Sequence, residues 1–324
     1  MPSLPLQAQT AFSDLKRLLS EIEAGGIYGT LREAKSGGRI YAYDQLTIAR
    51  KPVQRYLGPA SDEIRERAAH SKALQRAAAG LVRLLRAQGC LAPDRDTGAV
   101  LLGFARAGVF RSGGVLVGTH AFRAYEAELG VRLSDGAVTQ DVDVAIPKAI
   151  RVASTEPPAI KVLRDMGYVP SPSALDADAR PWRWTKNANL VEFLTPDTGA
   201  PGQIEKLGVH AQQVKFMEYL LDDPIRAPVL YQGGVLVNVP DPARFAVHKL
   251  VLVSRRGRDD REKSVKDLIQ ARTLIDLLAE DRPDDIAAAY EDARSRGPSW
   301  RAALDATLKR AKDLAEFLSA LSAE

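Results

Sequence analysis

One stretch, Gly113–Ile146 (GGVLVGTHAFRAYEAELGVRLSDGAVTQDVDVAI), constrains this chain more than any other. Its apolar run Val115-Leu116-Val117 is too short for a helix and reads as a buried strand. Gly118-Thr119 turn the chain, and Ala121, Tyr125 and Leu129 then recur at the four-residue spacing of one helical stripe. After a loop around Ser134-Asp135-Gly136, the residues from Thr139 to Ile146 alternate as a strand does. Alternation sends Val142, Val144 and Ile146 into the core and leaves Asp141 and Asp143 together on the other face. Carboxylates held side by side repel one another unless a cation sits between them. Oxygen-only ligands suit a hard ion such as magnesium, which keeps waters and combines one or two carboxylates with substrate phosphates. Asp141 and Asp143 are therefore candidate metal ligands, with an exposed face of an edge strand as the alternative reading.

Gly118-Thr119 at a strand-to-helix turn, followed by Asp141-Val142-Asp143 on a strand, resembles the nucleotidyltransferase fold of DNA polymerase beta. The wording VLVGTHAFRAY followed by TQDVDVA is similar to a family of bacterial nucleotidyltransferase-fold proteins. The resemblance implies an α+β fold: a small mixed β-sheet with flanking helices, preceded by an N-terminal helix and hairpin region and followed by a mainly helical C-terminal domain. It implies a later lone carboxylate on a third strand, which here would be Glu192 in Leu190-Val191-Glu192-Phe193-Leu194, where Asp is more usual. It also implies two magnesium ions, with manganese as a substitute, held by Asp141, Asp143 and Glu192, and triphosphate oxygens held at Gly118 and Thr119. Thr119 stands where Ser is commoner and keeps the hydroxyl. The core of the likeness covers residues 111–196, and a looser one continues to about 279.

The rest of the chain bounds the setting. Its 324 residues suffice for about two ordinary domains, and 45% hydrophobic with 27% charged residues exclude wholesale disorder. A formal charge of +4 permits an anionic partner without demanding nucleic acid. Cys90 is the single cysteine and the four histidines have no paired spacing, so zinc and disulfides are excluded. Residues 1–10 lack the pattern of a secretion signal and no stretch has membrane length, so the expectation is a cytoplasmic enzyme with no membrane partner. Composition and motifs divide the chain at 1–95, 96–200 and 201–324.

In the first of these regions, Gln7–Ala24 predicts an amphipathic helix with Phe12, Leu15, Leu19 and Ile22 on one stripe. Gly38–Tyr43 and Lys51–Pro59 predict an antiparallel hairpin. Its Tyr41, Tyr43 and Tyr56, interleaved with Arg39, Lys51 and Arg55, suit either stacking on nucleic acid or packing on a neighbouring helix. Ser61–Gln88 predicts a long helix with a Ser-Asp-Glu start and one arginine-rich face, solvated or phosphate-tracking. Thr97–Ala107 predicts another, with Arg106 and Arg111 flanking the entry to the core strand as surface charges or phosphate contacts. Thr119 has an ordinary reading as a helix N-cap, and His120 reads as a packing or capping residue.

Beyond the aspartates, Pro157–Gly167 predicts a crossover helix, and Arg180–Thr185 with Asn189–Leu194 two strands. Glu192 lies between apolar neighbours and needs a partner, since burying a lone charge costs several kcal/mol. A metal answers that need, and so does Arg183 on the adjacent strand. Val209–Leu221 predicts a helix, Pro228–Val239 a hairpin, Pro242 opens a helix, Ser264–Glu280 forms another, and two more follow. The order Pro-x-x-Phe, Lys, Arg, Lys-Asp resembles the helical half of AbiE-type toxin nucleotidyltransferases, which implies Lys249 as a triphosphate contact supported by Lys266 and Asp267. A solvated helix lysine is the alternative for Lys249.

No Walker loop, dinucleotide glycine fingerprint or nucleophile elbow is present. The expected activity is transfer of a nucleoside monophosphate from a nucleoside triphosphate, ATP among them, to an acceptor hydroxyl on an RNA end, a protein or a small molecule. A non-catalytic nucleotide- or nucleic-acid-binding module and a toxin with an antitoxin partner are the competing expectations. A homo-oligomer is a further one.

Overall fold

Apolar spacing sets the first helix. In this computed structural model, α1 (Leu6–Gly25) buries Ala8, Phe12, Leu15, Leu19 and Ile22 on one stripe, and the left-handed Gly26 closes it by returning its amide to the Ile22 and Glu23 carbonyls. The structure describes residues 2–48, 51–133, 141–145, 159–171, 181–197, 203–204, 209–257 and 260–321. The expected loop at Ser134–Gly136, residues Thr139, Gln140 and Ile146, and the start of the Arg180 strand lie outside them, as do the first residues of the Pro157 helix. Two compact units result: one of Pro2–Val214 with Arg226–Val239, the other of Lys215–Ile225 with Pro240–Glu324.

The first unit begins with α1 and an antiparallel sheet, β1 (Thr30–Ser36), β2 (Arg39–Ile48) and β3 (Lys51–Pro59), paired in that order. The hairpin of β2 and β3 was expected. The strand β1 was not, because TLREAKS has no apolar alternation and is almost wholly exposed. It forms by pairing along the other edge of β2, from Thr30 opposite Gln45 to Ser36 opposite Arg39. The inward row of β2 is Ala42, Asp44, Leu46 and Ile48, all buried. Asp44 accepts the Tyr28 and Gly29 amides at 3.0 and 2.8 Å and Arg55 Nη2 at 3.0 Å. Arg55 therefore lies on the inner side, also bonded to the Gly26 carbonyl, and not among the tyrosines as its place in the sequence suggested. α2 (Asp62–Ala87), capped by Ser61, packs Ala78, Val82 and Leu85 into the same core as Phe12, Leu15 and Leu19.

Next come α3 (Arg95–Arg106), capped by Asp94, then β4 (Val115–Val117), α4 (Gly118–Leu129), β5 (Asp141–Ala145), α5 (Ala159–Asp165), β6 (Val169–Pro170), β7 (Arg183–Lys186) and β8 (Asn189–Pro196). The short β9 (Gln203–Ile204) and β10 (Val209–His210) pair with each other, and β11 (Gln212–Val214) pairs with β8. Among the described residues the main sheet has six strands, ordered β4-β5-β8-β7-β6, with β11 added parallel to the end of β8. β5 and β8 are parallel, whereas β4 and β7 are antiparallel to their neighbours, so the sheet is mixed as expected for this α+β fold. The helix expected over Val209–Leu221 is corrected. Pairing of Gln212–Val214 with Leu194–Pro196 claims that backbone, leaving only α6 (Met217–Leu220) helical. β12 (Ile225–Val229) and β13 (Val235–Val239) form the expected two-stranded element around Gly233-Gly234.

The second unit is helical: α6, α7 (Pro242–Arg255), α8 (Arg261–Asp281), α9 (Pro283–Ser295), α10 (Pro298–Leu308) and α11 (Lys312–Leu321). Three helices follow α8 where the sequence suggested two; Gly297-Pro298 separate α9 from α10. Asp241 caps α7 by accepting the Ala243 and Arg244 amides at 2.9 and 3.0 Å, with Pro242 where a missing N–H costs nothing. Tyr219 is fully buried and donates its hydroxyl to the Ala289 carbonyl at 2.8 Å, and Phe216 meets Trp300 edge-on at 4.7 Å.

Asp44 is the polar knot of the N-terminal sheet. Asp44→Ala strips two backbone amides and Arg55 of their shared acceptor, so denaturant melts should show a loss of about 3–5 kcal/mol, against less than about 1 kcal/mol for the exposed Arg39→Ala.

Candidate active site

The strand β5 sets Asp143 between two partners, Val117 on β4 and Glu192 on β8. Residues directly opposite share a face, so the carboxylates of Asp143 and Glu192 emerge on one side of the sheet from strands about 4.8 Å apart. The opposite side is apolar. Val142, Val144, Val191 and Phe193 are buried there, and the Phe193 ring lies 5.8 Å from Phe104 of α3. Asp141 pairs through its backbone with Leu190, two residues before Asp143 on the same strand; its side chain lies outside the described residues.

Gly118 leaves β4 with φ of 68°, and a Cβ placed on it would lie 2.6 Å from Oδ2 of Asp143. Only glycine tolerates both the left-handed backbone and that approach. The turn thus brings the start of α4 against the Asp143 carboxylate. Val117 at the N-cap makes no side-chain bond to the first turn of α4, and helix starts of this kind direct backbone amides outward. Val117 holds the N-cap position, so Thr119 is not the cap that its sequence also allowed; it is buried inside the first turn. His120 is buried beside it. Asn238 of β13, which the sequence reading passed over, donates its amide to the carbonyls of Phe110 and Gly114 at 2.7 and 2.9 Å and fastens the turn that precedes β4. Its only signal was one polar residue inside the run VLVNV.

Glu192 has an arginine partner. Arg183, directly opposite on β7, brings Nε and Nη2 to the same oxygen, Oε1, at 2.6 and 2.5 Å. Its guanidinium also lies 4.9 Å from the centre of the Trp182 ring. A row therefore runs across the sheet: Gly118 at the end of β4, Asp143, Glu192, then Arg183. Arg106 and Arg111 turn instead toward the N-terminal elements. Arg106 donates to the Thr47 carbonyl at 2.5 Å and burial pushes its pKa down; Arg111 donates to the Ala105 carbonyl at 3.2 Å and lies 4.9 Å from the Tyr28 ring.

The donor set at Asp143 and Glu192 fits a hard cation in kind, being oxygen only and side by side. Among the described residues, which exclude the Asp141 side chain, no three His, Cys, Asp or Glu side chains gather as a metal set. Also among them, no helix is long and apolar enough to cross a membrane.

In the second unit Lys249 and Asp267 form an ion pair with each other, while Lys266 is half-buried on the adjoining helical position. Lys249 Nζ lies 2.5 Å from Oδ1 of Asp267, and Arg256 brings Nε and Nη2 to Oδ2 at 3.0 and 2.9 Å. Lys249 is buried, so it is not the solvated helix lysine that was the alternative, and Asp267 is buried with it. His248, fully buried next in sequence, has its pKa pushed down to about 3 by burial and then by the Lys249 charge.

Residues 95–295 match the model of a nucleotidyltransferase family, well over half of the chain. The chain belongs to this nucleotidyltransferase family. The match begins at the first residue of α3 and takes in the whole row from Gly118 to Arg183, Glu192 and Lys249. A solved structure similar to the chain is that of an antigenic nucleotidyltransferase-like protein from Paracoccidioides brasiliensis, at 14% identity and a TM-score of 0.34, over 66% of this chain and 94% of that one. No curated protein matches.

Two outcomes follow. Gly118→Ala forces a side chain into left-handed backbone against the Asp143 carboxylate, so melts should show a loss of at least about 1–2 kcal/mol, and pyrophosphate release should fall even at temperatures where the fold persists. For His248, the folded pKa of about 3 lies below the unfolded value of 6.5. Between those values the unfolded chain binds a proton that the folded one refuses, so this contribution is intact above about pH 6.5 and is lost as pH falls toward 3. Urea midpoints between pH 7 and 4.5 should fall more steeply for the natural chain than for His248→Gln.

Proposed function

We propose that this member of the nucleotidyltransferase family moves a nucleoside monophosphate from a nucleoside triphosphate to an acceptor hydroxyl and releases pyrophosphate. The observation that supports the reading is the close approach of Gly118 to Asp143, with the start of α4 and the strand carboxylates of Asp143 and Glu192 side by side. In this reading the first-turn amides of α4, at Gly118 and Thr119, hold the β- and γ-phosphates, where the helix dipole favours negative charge. Asp141, Asp143 and Glu192 would hold magnesium, or manganese in its place, which when bound offsets charge on the triphosphate and lowers the pKa of the acceptor hydroxyl. Glu192 takes up the proton of the acceptor hydroxyl; the acceptor oxygen forms its bond to the α-phosphorus as the bond to pyrophosphate breaks. The acceptor hydroxyl belongs to an RNA end, a protein or a small molecule. The triphosphate role of Lys249, Lys266 and Asp267 rests on the AbiE resemblance alone.

A second reading, a nucleotide-binding module without catalysis, is favoured by one observation: Arg183 already answers the Glu192 charge. Pyrophosphate release separates the two. Asp141→Asn and Asp143→Asn should each bring release to background with melting temperatures held or raised, because a repelling charge is gone. Glu192→Gln should lower turnover while nucleotide affinity stays within about threefold, and its stability coupling to Arg183→Met in a double-mutant cycle should stay below about 1 kcal/mol for a pair whose arginine is open to solvent. Near-normal turnover in the Asn variants sinks the catalytic reading.

A further inference from the structure

The outward face of the N-terminal sheet is aromatic and basic, and it carries no carboxylate. Alternation turns Arg39, Tyr41 and Tyr43 of β2 away from the buried row of Ala42, Asp44, Leu46 and Ile48. The register sets Arg32 of β1 opposite Tyr43 on one side and Tyr56 of β3 opposite it on the other. The Tyr56 ring lies 5.7 Å from that of Tyr43 and 6.1 Å from that of Tyr41, tilted by 56° and 52°, and Tyr56 is 56% exposed. The acids of these strands are on the inner side: Asp44 is buried with Arg55, and Glu33, opposite the inward Ala42, pairs with Arg65 of α2. The sheet precedes residues 95–295, so the family match assigns it nothing.

We propose that this face binds a single-stranded polynucleotide, its bases stacking on Tyr41, Tyr43 and Tyr56 and its phosphates meeting Arg32 and Arg39. Every base presents a π-face to a tyrosine, and an antiparallel sheet with exposed rings is a stacking platform of the kind single strands use. A duplex hides its bases from such rings. A second copy of this chain fits poorly, because a two-fold contact sets the same patch against itself and brings arginines together with no acid between them. As the acceptor of the transfer proposed above, the strand would give that reading its substrate class; that step rests on the reading, whereas binding does not.

Fluorescence anisotropy with a labelled single-stranded RNA dodecamer, and with DNA of the same sequence, tests the proposal on the full chain. Tyr43→Ala and Tyr56→Ala should each weaken binding about five- to hundredfold, while Tyr43→Phe, which keeps the ring, should stay within about threefold. Arg32→Ala with Arg39→Ala should lower the slope of log affinity against log salt by roughly 1.4. Asp143→Asn should leave affinity unchanged while release of pyrophosphate stops, so failure of either idea is seen apart from the other. Tyrosine-dependent binding of either strand supports the proposal, and the better-bound arm names the polynucleotide. Binding that is absent, that the tyrosine substitutions leave unchanged, or that is equal for duplex overturns it. So does a dimer in sedimentation that Tyr56→Ala converts to monomer.

Discussion

The register between β5 and β8 is the constraint on which the first unit depends. Strand side chains alternate with a period of two, so a slip of one residue would send Asp143 and Glu192 into the layer now filled by Val142, Val144, Val191 and Phe193. That apolar layer, held against Phe104 of α3, therefore decides where charge appears on the other face. The cost of the arrangement is repulsion between two neighbouring carboxylates. Arg183 offsets it on one side of the row. On the other side the missing Cβ of Gly118 lets backbone, not a side chain, meet Asp143, and Asn238 fixes the turn from which β4 starts.

The strands and helices with a clean period were legible in the sequence: the run Val115–Val117, the strand readings over Thr139–Ile146 and Asn189–Leu194 that contain or begin β5 and β8, and the stripes of α1 and α2. Elements made by pairing were not. Thr30–Ser36 has no apolar row of its own and becomes a strand because β2 offers an edge. Val209–Leu221 carries Val209, Met217, Tyr219 and Leu220 at spacings a helix also uses, yet the edge of β8 takes Gln212–Val214 first. Tertiary pairing overrides weak local preference in both cases. Arg55 shows the same limit at one residue. It stands next to Tyr56 in the chain, and on a strand that adjacency means the opposite face.

The site was readable as residue types and less so as partners. In the second unit the dipeptide Lys266-Asp267 was visible, but neighbours on a helix do not face each other. Asp267 is met instead by Lys249 and Arg256, from residues 18 and 11 positions away. Two cations on one buried acid leave a net positive charge there, and the neighbouring His248 stays neutral in that field as well as through its burial.

The two readings of Glu192 part on what the ion pair with Arg183 contributes. The arginine side chain is 44% exposed and that of Glu192 17%, so the pair meets solvent on the arginine side; both bonds go to one oxygen, without the two-by-two geometry of a strong arginine–carboxylate pair. Exposed pairs of this kind contribute about 0–1 kcal/mol. A pair contributing so little gives the sheet small return for an acid in the middle of Leu190-Val191-Glu192-Phe193-Leu194. Stability alone gives no reason for that residue type at that position. Its place beside Asp143, on the face that Gly118 opens, is where the proposed transfer would use a carboxylate.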